Sequence, residues 1–381
     1  MENRSGKAQV KVCILTSAHP VFDARIFHKE AKTLAKGGYE VVLVAQHNSE
    51  ETVDGVRIIP LPTPKNRFER MTKIVWKLFR AALKEKADVY HFHDPELIPI
   101  GLILRFFGKK VIYDVHEDVS EQILSKDYIP KSLKKLISGS FKFFENCSSN
   151  AFSFVITTTD AIACKFLKRT SNVISVKNYI SGEYAKTKAQ SKISHNVLKV
   201  IFVGLIYRER GIIEGIKAMN LLSDLSLKFI LYGPVDKKFL LELKNLDKME
   251  RLDYQRIIPY TEVIDRLEEA DIGFICDYPL KRHMEGLPVK LFEYMAAGLP
   301  LIASNFQLWK QIVEKCNCGI CVNPTKPEEI ASAVRYLYGN PKIRSLMGQN
   351  GRRAVLEEYN WENESKKLLH VYSKILGDNN A

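Results

Sequence analysis

Short apolar runs alternate along this chain with longer segments in which apolar residues recur every three or four positions. The runs, rich in valine, isoleucine and phenylalanine, are too short for buried helices and predict strands; the periodic segments predict helices buried along one face. Val10–Thr16 is the first predicted strand, and the helix over 24–36 that follows is ended by Gly37 and Gly38. Further strands are predicted at 40–45, 56–60, 88–92, 110–115, 152–157 and 172–176, with helices over 68–86, 96–107, 131–149 and 159–168. Residues 181–196 are mostly polar and break the pattern. It then restarts, with strands at 198–203, 227–231, 256–258, 271–275, 299–303 and 319–322 and helices between them.

Apolar runs joined by helical crossovers are buried on both faces, which is the habit of parallel sheets in α/β proteins. A chain of 381 residues can fill two such domains. The expected fold class is therefore α/β, with two doubly wound Rossmann-like domains facing a central cleft and 181–196 as their linker. A single larger α/β domain is the alternative. Ligands of doubly wound sheets bind beyond the carboxyl ends of the strands, so the residues that follow each strand are where chemistry is sought.

Composition changes this picture little. A hydrophobic fraction of 46% and a charged fraction of 27% are those of a folded globular protein. The seven cysteines, an odd number, read as reduced thiols of a cytoplasmic protein. No apolar run has the length of a membrane span, and neither a transmembrane anchor nor a signal peptide is expected.

Charge changes it more. The net charge is +13, of which +10 falls in residues 1–190. Residues 65–86 hold eight basic and two acidic side chains, and residues 126–142 hold five and one. In the first segment Met71, Ile74, Val75, Leu78 and Ala82 share a helical face, while Lys73, Lys77, Arg80 and Lys84 lie mostly elsewhere. In the second, Leu133, Leu136, Ile137 and Phe141 alternate with Lys131, Lys134, Lys135 and Lys142. Helices 68–86 and 131–144 are expected to rest on the anionic inner face of a membrane, each near-surface cation contributing roughly 1 kcal/mol. Core-facing helices with solvated basic backs are the alternative. No recognition helix or base-stacking motif accompanies the charge, so nucleic acid is not an expected partner.

The most informative stretch is Glu285-Gly-Leu-Pro-Val-Lys-Leu-Phe-Glu293. Pro288 suits the first position of a helix. The free N–H groups and positive end of that helix would lie near Glu285, Gly286 and Lys290, a place for a phosphate with a carboxylate on either side for hydroxyls. A sugar nucleotide offers those groups in that order. Gly204 and the arginines Arg208 and Arg210 form the first strand-to-helix turn of the second half, which suits a diphosphate. Neither GxGxxG nor GxxxxGK[ST] occurs. In the first half, His91 and His93 point the same way from one strand, but two histidines supply half of a tetrahedral metal site and no compact third and fourth ligand is evident. His116, beside Asp114, Glu117 and Asp118, is expected as an imidazolium able to donate to a phosphate or sugar hydroxyl.

Glu285 and Glu293 with Lys290 and Gly298 resemble the E-x7-E signature of the large family 4 of retaining glycosyltransferases with the GT-B fold, and the likeness runs over nearly the whole chain. His93-Asp94-Pro95-Glu96 resembles the family's first-domain cleft motif, His116 its active-site histidine, and Gly204…Arg210-Gly211 its phosphate turn. The resemblance implies a last helix over about 362–376 that packs back on the first domain. The domains then become 1–180 plus 362–381 on the acceptor side and 197–361 on the donor side.

The resemblance also implies residue roles. Glu285 would hold donor-sugar hydroxyls and Glu293 the ribose hydroxyls. Arg210, standing where the family usually has lysine, would neutralise the diphosphate with amides around Leu287, Pro288 and Val289. His116 would contact the donor sugar near the reacting bond. Leu205 stands where the family usually has an arginine, and Arg208 is the candidate replacement. The loop after the first strand lacks the family's glycine pair and carries His19, Asp23 and Arg25 instead, which with His93 and Asp94 form the acceptor-side candidates. No Asp-x-Asp pair sits in a suitable loop, so no metal or other cofactor is required. The donor is expected to be a UDP- or GDP-sugar and the acceptor a lipid-linked oligosaccharide of envelope polysaccharide synthesis. A non-hydrolysing sugar-nucleotide epimerase and a catalytically inactive GT-B binding protein are the alternatives.

Overall fold

The apolar runs become strands of two sheets because helical crossovers leave neither face to water. A computed structural model describes residues 9–125, 129–186, 197–259 and 262–377. The chain forms two units, residues 1–178 with 363–381 and residues 179–362. The ten residues 187–196 of the expected linker lie outside the described residues.

The first unit holds β1 (Lys11–Pro20), β2 (Glu40–Gln46), β3 (Glu51–Val53), β4 (Val56–Leu61), β5 (Val89–Phe92), β6 (Lys110–Val115), β7 (Phe154–Thr157) and β8 (Val173–Ser175). They form one sheet in the order β3-β4-β2-β1-β5-β6-β7-β8, parallel except where β3 meets β4. Short helical turns Arg67–Glu69 and Arg70–Ile74 lead into α1 (Val75–Glu85); α2 (Ile98–Phe106) and α3 (Lys131–Ser149) follow. Leu78 and Ala82 of α1, Leu104 of α2 and Phe141 of α3 join Phe92 and Tyr113 in one apolar cluster, so these three helices form a single layer on the sheet.

The second unit holds β9 (Leu198–Val203), β10 (Leu227–Tyr232), β11 (Leu252–Gln255), β12 (Ile272–Ile275), β13 (Leu301–Ser304) and β14 (Gly319–Val322). All are parallel, in the order β11-β10-β9-β12-β13-β14. The helix α4 (Val289–Ala296) carries the Lys290–Glu293 stretch. The last helix, α5 (Trp361–Leu376), enters the first unit from Asn363, where Tyr372 lies fully buried against Tyr39 and His91.

Strand order reverses between β1 and β5 in one sheet and between β9 and β12 in the other. Those switch points open a crevice at the carboxyl ends of the strands, where doubly wound folds bind ligands. Two expectations are corrected at sheet edges. The strand expected at 256–258 lies earlier, at Leu252–Gln255, and β3 was not expected.

Candidate functional site

At the β9–β12 switch point three side chains bring buried polar atoms together. Arg210 ion-pairs with Asp277, which is 1% exposed. Arg210 Nε, Asp277 Oδ1 and Lys290 Nζ are all buried without a hydrogen-bond partner. Lys290 Nζ lies 4.0 Å from the centre of the Phe202 ring. Burial, with Arg210 adding repulsion, pushes the Lys290 ammonium down to about 7. A buried polar atom without a partner costs roughly 1–3 kcal/mol. Three gathered at a strand switch point indicate a ligand that supplies the partners.

Local sequence explains why they meet. Gly204 follows β9 at φ +133°, a conformation closed to other residues, and a Cβ there would stand 3.1 Å from Lys290 Nζ. The helix α4 is seated by Tyr294, whose hydroxyl accepts the Val203 N–H at 3.0 Å. Gly273 of β12 makes room for that ring, since a Cβ would come within 2.5 Å of Tyr294 Cδ2. The turn before α4 is fixed by Trp309 Nε1, which donates to the Gly286 carbonyl at 2.7 Å. Pro288, at the cap, offers no side-chain acceptor to the first turn of α4, so its N–H groups and the positive helix end suit an anion.

The structure places Gly204, Arg210, Lys290 and Glu293 about this switch point, with Glu285, Leu287 and Pro288 in the half-buried turn that leads into α4 and Val289 as its first residue. Two readings change. Pro288 is the capping residue rather than the first helical one, its backbone extended at φ −72°, ψ 134°, and α4 begins at Val289. Arg208 does not join Arg210: it is 55% exposed, forms a bidentate pair with Glu242 at 2.8 Å and lies over the Phe239 ring. A nearby carboxylate and a ring to lie on turn it outward. Asp277 escaped the sequence reading, although its place just beyond β12 repeats that of Asp94 beyond β5.

The β1–β5 switch point of the first unit gathers the acceptor-side candidates. Asp94 accepts from Thr16 Oγ1 at 2.8 Å and from the N–H groups of Ser17 and Ala18 at 2.6 and 3.1 Å, and lies 3.2 Å from His19 Nδ1. Burial opposes its charge, yet His19 and these donors hold its carboxyl well below the usual range. Burial likewise pulls His19 down, but the bond to Asp94 wins and raises it.

Arg25 turns inward rather than toward an acceptor, while Asp23 is half-buried with His19 and His116 acting on its charge. Asp23 Oδ1 caps the following helix by accepting from the N–H groups of Arg25 and Ile26 at 2.8 and 2.9 Å. Arg25 is 3% exposed, drawn in by two buried carboxylates: it is bidentate on Asp114 and lies 2.9 Å from Glu30 Oε1.

His93 Nδ1 lies 3.0 Å from His116 Nε2. His116 is not the expected imidazolium. Burial pushes it down to about 3, outweighing Asp114, with His93 and Arg25 opposing a further charge. Asp118, one of the acids expected to support it, is paired with Lys165 instead.

The sequence showed two metal-type ligands here, and the structure adds Glu30 and Asp114, so that ligand atoms of all four groups lie within 4.8 Å of one another. Arg25 already serves both carboxylates. Burial, reinforced by Asp114, keeps the Glu30 carboxyl well above the ordinary range despite Arg25. Burial pushes the imidazole of His91 well down, and Arg25 holds the Asp114 carboxyl well below the usual range against its burial.

Comparison with known proteins matches a family to each half of the chain. The family described as glycosyl transferases group 1 matches residues 183–354, and the glycosyl transferase 4-like domain matches residues 24–170. The chain is a GT-B glycosyltransferase. The enzyme is 24% identical to an uncharacterized glycosyltransferase of Methanocaldococcus jannaschii over 79% of each chain. Among solved structures, sucrose-phosphate synthase from Thermosynechococcus elongatus is similar with a TM-score of 0.77 at 18% identity, covering 97% of this chain and 100% of that one. HepE of Anabaena, in complex with UDP-glucose, is similar with a TM-score of 0.73 at 14% identity, covering 96% and 100%. At such identities these two structures bear on the fold alone.

Proposed function

We propose that this glycosyltransferase moves a hexose or N-acetylhexosamine from a UDP- or GDP-sugar to a hydroxyl of a lipid-linked glycan, with retention at the anomeric carbon. The observation that carries the donor reading is the set of buried, unpartnered atoms of Arg210, Asp277 and Lys290 beside the uncapped start of α4. A diphosphate fits it: two cations and free N–H groups meet the phosphate oxygens, and Asp277 holds Arg210 in place. The UDP-glucose bound by the structurally similar HepE supports a sugar nucleotide here. Lys290, reaching the turn at Gly204, supplies the cation that Leu205 lacks, while Arg208 remains with Glu242.

In this reading Glu285 binds donor-sugar hydroxyls and Glu293 the ribose hydroxyls, one on each side of the phosphates. Arg210, Lys290 and the amides of Leu287 and Val289 stabilise the charge that builds as the bond from C1 to the phosphate oxygen breaks. The acceptor oxygen attacks from the same face, and its proton passes to the departing phosphate oxygen, with no metal required. His116, held neutral, offers one hydrogen bond to the sugar rather than a charge. Thr16, Ser17 and Ala18, fixed by Asp94, with His19 and His93 form the acceptor side. In this reading the helices 68–86 and 131–144 rest on the cytoplasmic face of a membrane, where a lipid-linked acceptor is met.

Calorimetric titration with UDP-, GDP- and dTDP-sugars tests the donor reading. One should bind, and Glu293→Ala should abolish that binding. Equal binding by the wild type and the variant removes Glu293 from the ribose role, and no binding of any donor removes the proposal.

A further inference from the structure

The helix layer over the first sheet has an inner face sealed in the apolar cluster and an outer face that is unusually apolar. On α1 and the turns before it, Phe68 is 78% and Trp76 60% exposed, with Met71 and Leu83 beside them in the exposed class. On α2, Phe106 is 87% exposed and Phe107 and Ile103 are exposed with it. On α3, Phe143 is 72% exposed, in company with Leu133, Leu136 and Ile137. Solvated backs of core helices, the plainer expectation, do not carry this many large apolar side chains in one layer.

Cations run beside the apolar stripe. Lys77, Arg80 and Lys84 are exposed on α1, and Lys135 and Lys142 on α3, where Lys134 is half-buried. The α1 cations, with Arg57 of β4, line a cavity of about 370 Å³ that also holds Glu50 and Glu85. Both carboxylates are engaged: Glu85 with Lys11 at 2.9 Å and with Arg57, and Glu50 with Arg57 at 3.0 Å. Among the described residues no carboxylate pairs with Lys77, Arg80 or Lys84. The cavity therefore presents uncompensated positive charge at the border of an apolar surface.

We infer that α1, α2 and α3 form one membrane-docking face, and that the Arg57–Lys77–Arg80–Lys84 cavity receives the phosphate head group of an anionic lipid. This sharpens the membrane placement proposed above, and rests on it, by adding α2 and a head-group site. Charge selects the occupant: two copies of this face would set like cations against each other, whereas an anionic leaflet answers both the cations and the apolar stripe. Among the described residues no helix is long and apolar enough to cross a membrane, so the contact is with the interface.

Cosedimentation of the full-length enzyme with phosphatidylcholine vesicles, with and without phosphatidylglycerol, tests the face. The wild type should bind only the anionic vesicles and lose binding as salt rises. Joint replacement Lys77→Glu, Arg80→Glu and Lys84→Glu should weaken binding at least about 100-fold, at about fivefold per cation near such a surface. Joint Trp76→Ser and Phe106→Ser should weaken it while leaving the salt dependence intact. All five side chains are exposed, and unchanged melting temperatures would show that the variants fold. Equal binding to both vesicle types, no binding, unchanged binding by the charge variant, or a concentration-dependent dimer abolished by it would each overturn the inference. Donor titration of the same samples without vesicles separates the proposals: lost vesicle binding with intact donor binding removes the face and the membrane placement it rests on but leaves the donor site, and the converse removes only the donor site.

Discussion

Lys290 shows how a single side chain can link burial to ligand binding. In the empty enzyme desolvation lowers its ammonium from the ordinary 10.5 to about 7. The unfolded chain then binds the extra proton and the folded one does not, so between those values this group's contribution to stability rises with pH. A bound diphosphate reverses the preference, because its negative charge favours the ammonium. Binding should accordingly take up a proton, about 0.9 per site at pH 8, and affinity should fall as pH rises above about 7. Calorimetry of donor binding in buffers of different ionisation enthalpy reads that number directly, and a buffer-independent enthalpy at pH 8 would contradict it. Replacing Lys290 with Met should weaken binding by one to two orders of magnitude, the worth of a charged hydrogen bond at roughly 1.5–3 kcal/mol. The residue types of this site were legible in the sequence: two carboxylates, a lysine and a glycine–arginine turn. The balance between burial and charge was not. Acidic neighbours of His116 suggested an imidazolium, and only the folded environment shows desolvation winning.

The position of α4 depends on contacts that bring a helix from one part of the sequence onto strands from others. Tyr294 reaches the end of β9 and lies over Gly273 of β12, so one ring sets the helix against both strands of the switch point. Tyr294→Phe leaves the Val203 N–H without its partner and should cost about 1–3 kcal/mol, read by chemical denaturation. Gly273→Ala drives a methyl into the same ring and should cost a similar 1–3 kcal/mol, with weaker donor binding as α4 shifts. Unchanged stability in both variants would mean that the helix is held by other contacts. Most elements were legible because core strands are continuously apolar and core helices periodic. Edge elements were not. The strand β11 reads Leu-Asp-Tyr-Gln, with polar positions that a sheet edge tolerates, and the apolar pair just after it drew the expectation instead. The hairpin of β3 and β4 turns on Asp54-Gly55, both at positive φ, a two-residue signal easily passed over between weak strands.

The restart of the strand–helix pattern after the polar break made two units legible over the whole molecule, but the partner of the last helix was not. The apolar residues Leu368, Val371 and Tyr372 of α5 call for burial without saying against which sheet; only the family likeness implied the first. In the structure all three are fully buried, Tyr372 donates to or accepts from His91 Nδ1 at 2.9 Å, and Leu369 Cδ2 crowds Gly37. Burying three such side chains contributes about 5–9 kcal/mol at 1.5–3 each, which rivals the typical 5–15 kcal/mol stability of a domain. Ending the chain at Glu362 should therefore unfold the first unit or sharply lower its melting transition. The second unit keeps Arg210, Asp277, Lys290 and all of α4, so its transition and its nucleoside-diphosphate binding should persist. Scanning calorimetry with and without UDP or GDP distinguishes the outcomes. An unshifted first-unit transition would show that α5 contributes little there. Loss of nucleotide binding with the second-unit transition intact would show that the donor site draws on residues beyond the β9–β12 switch point.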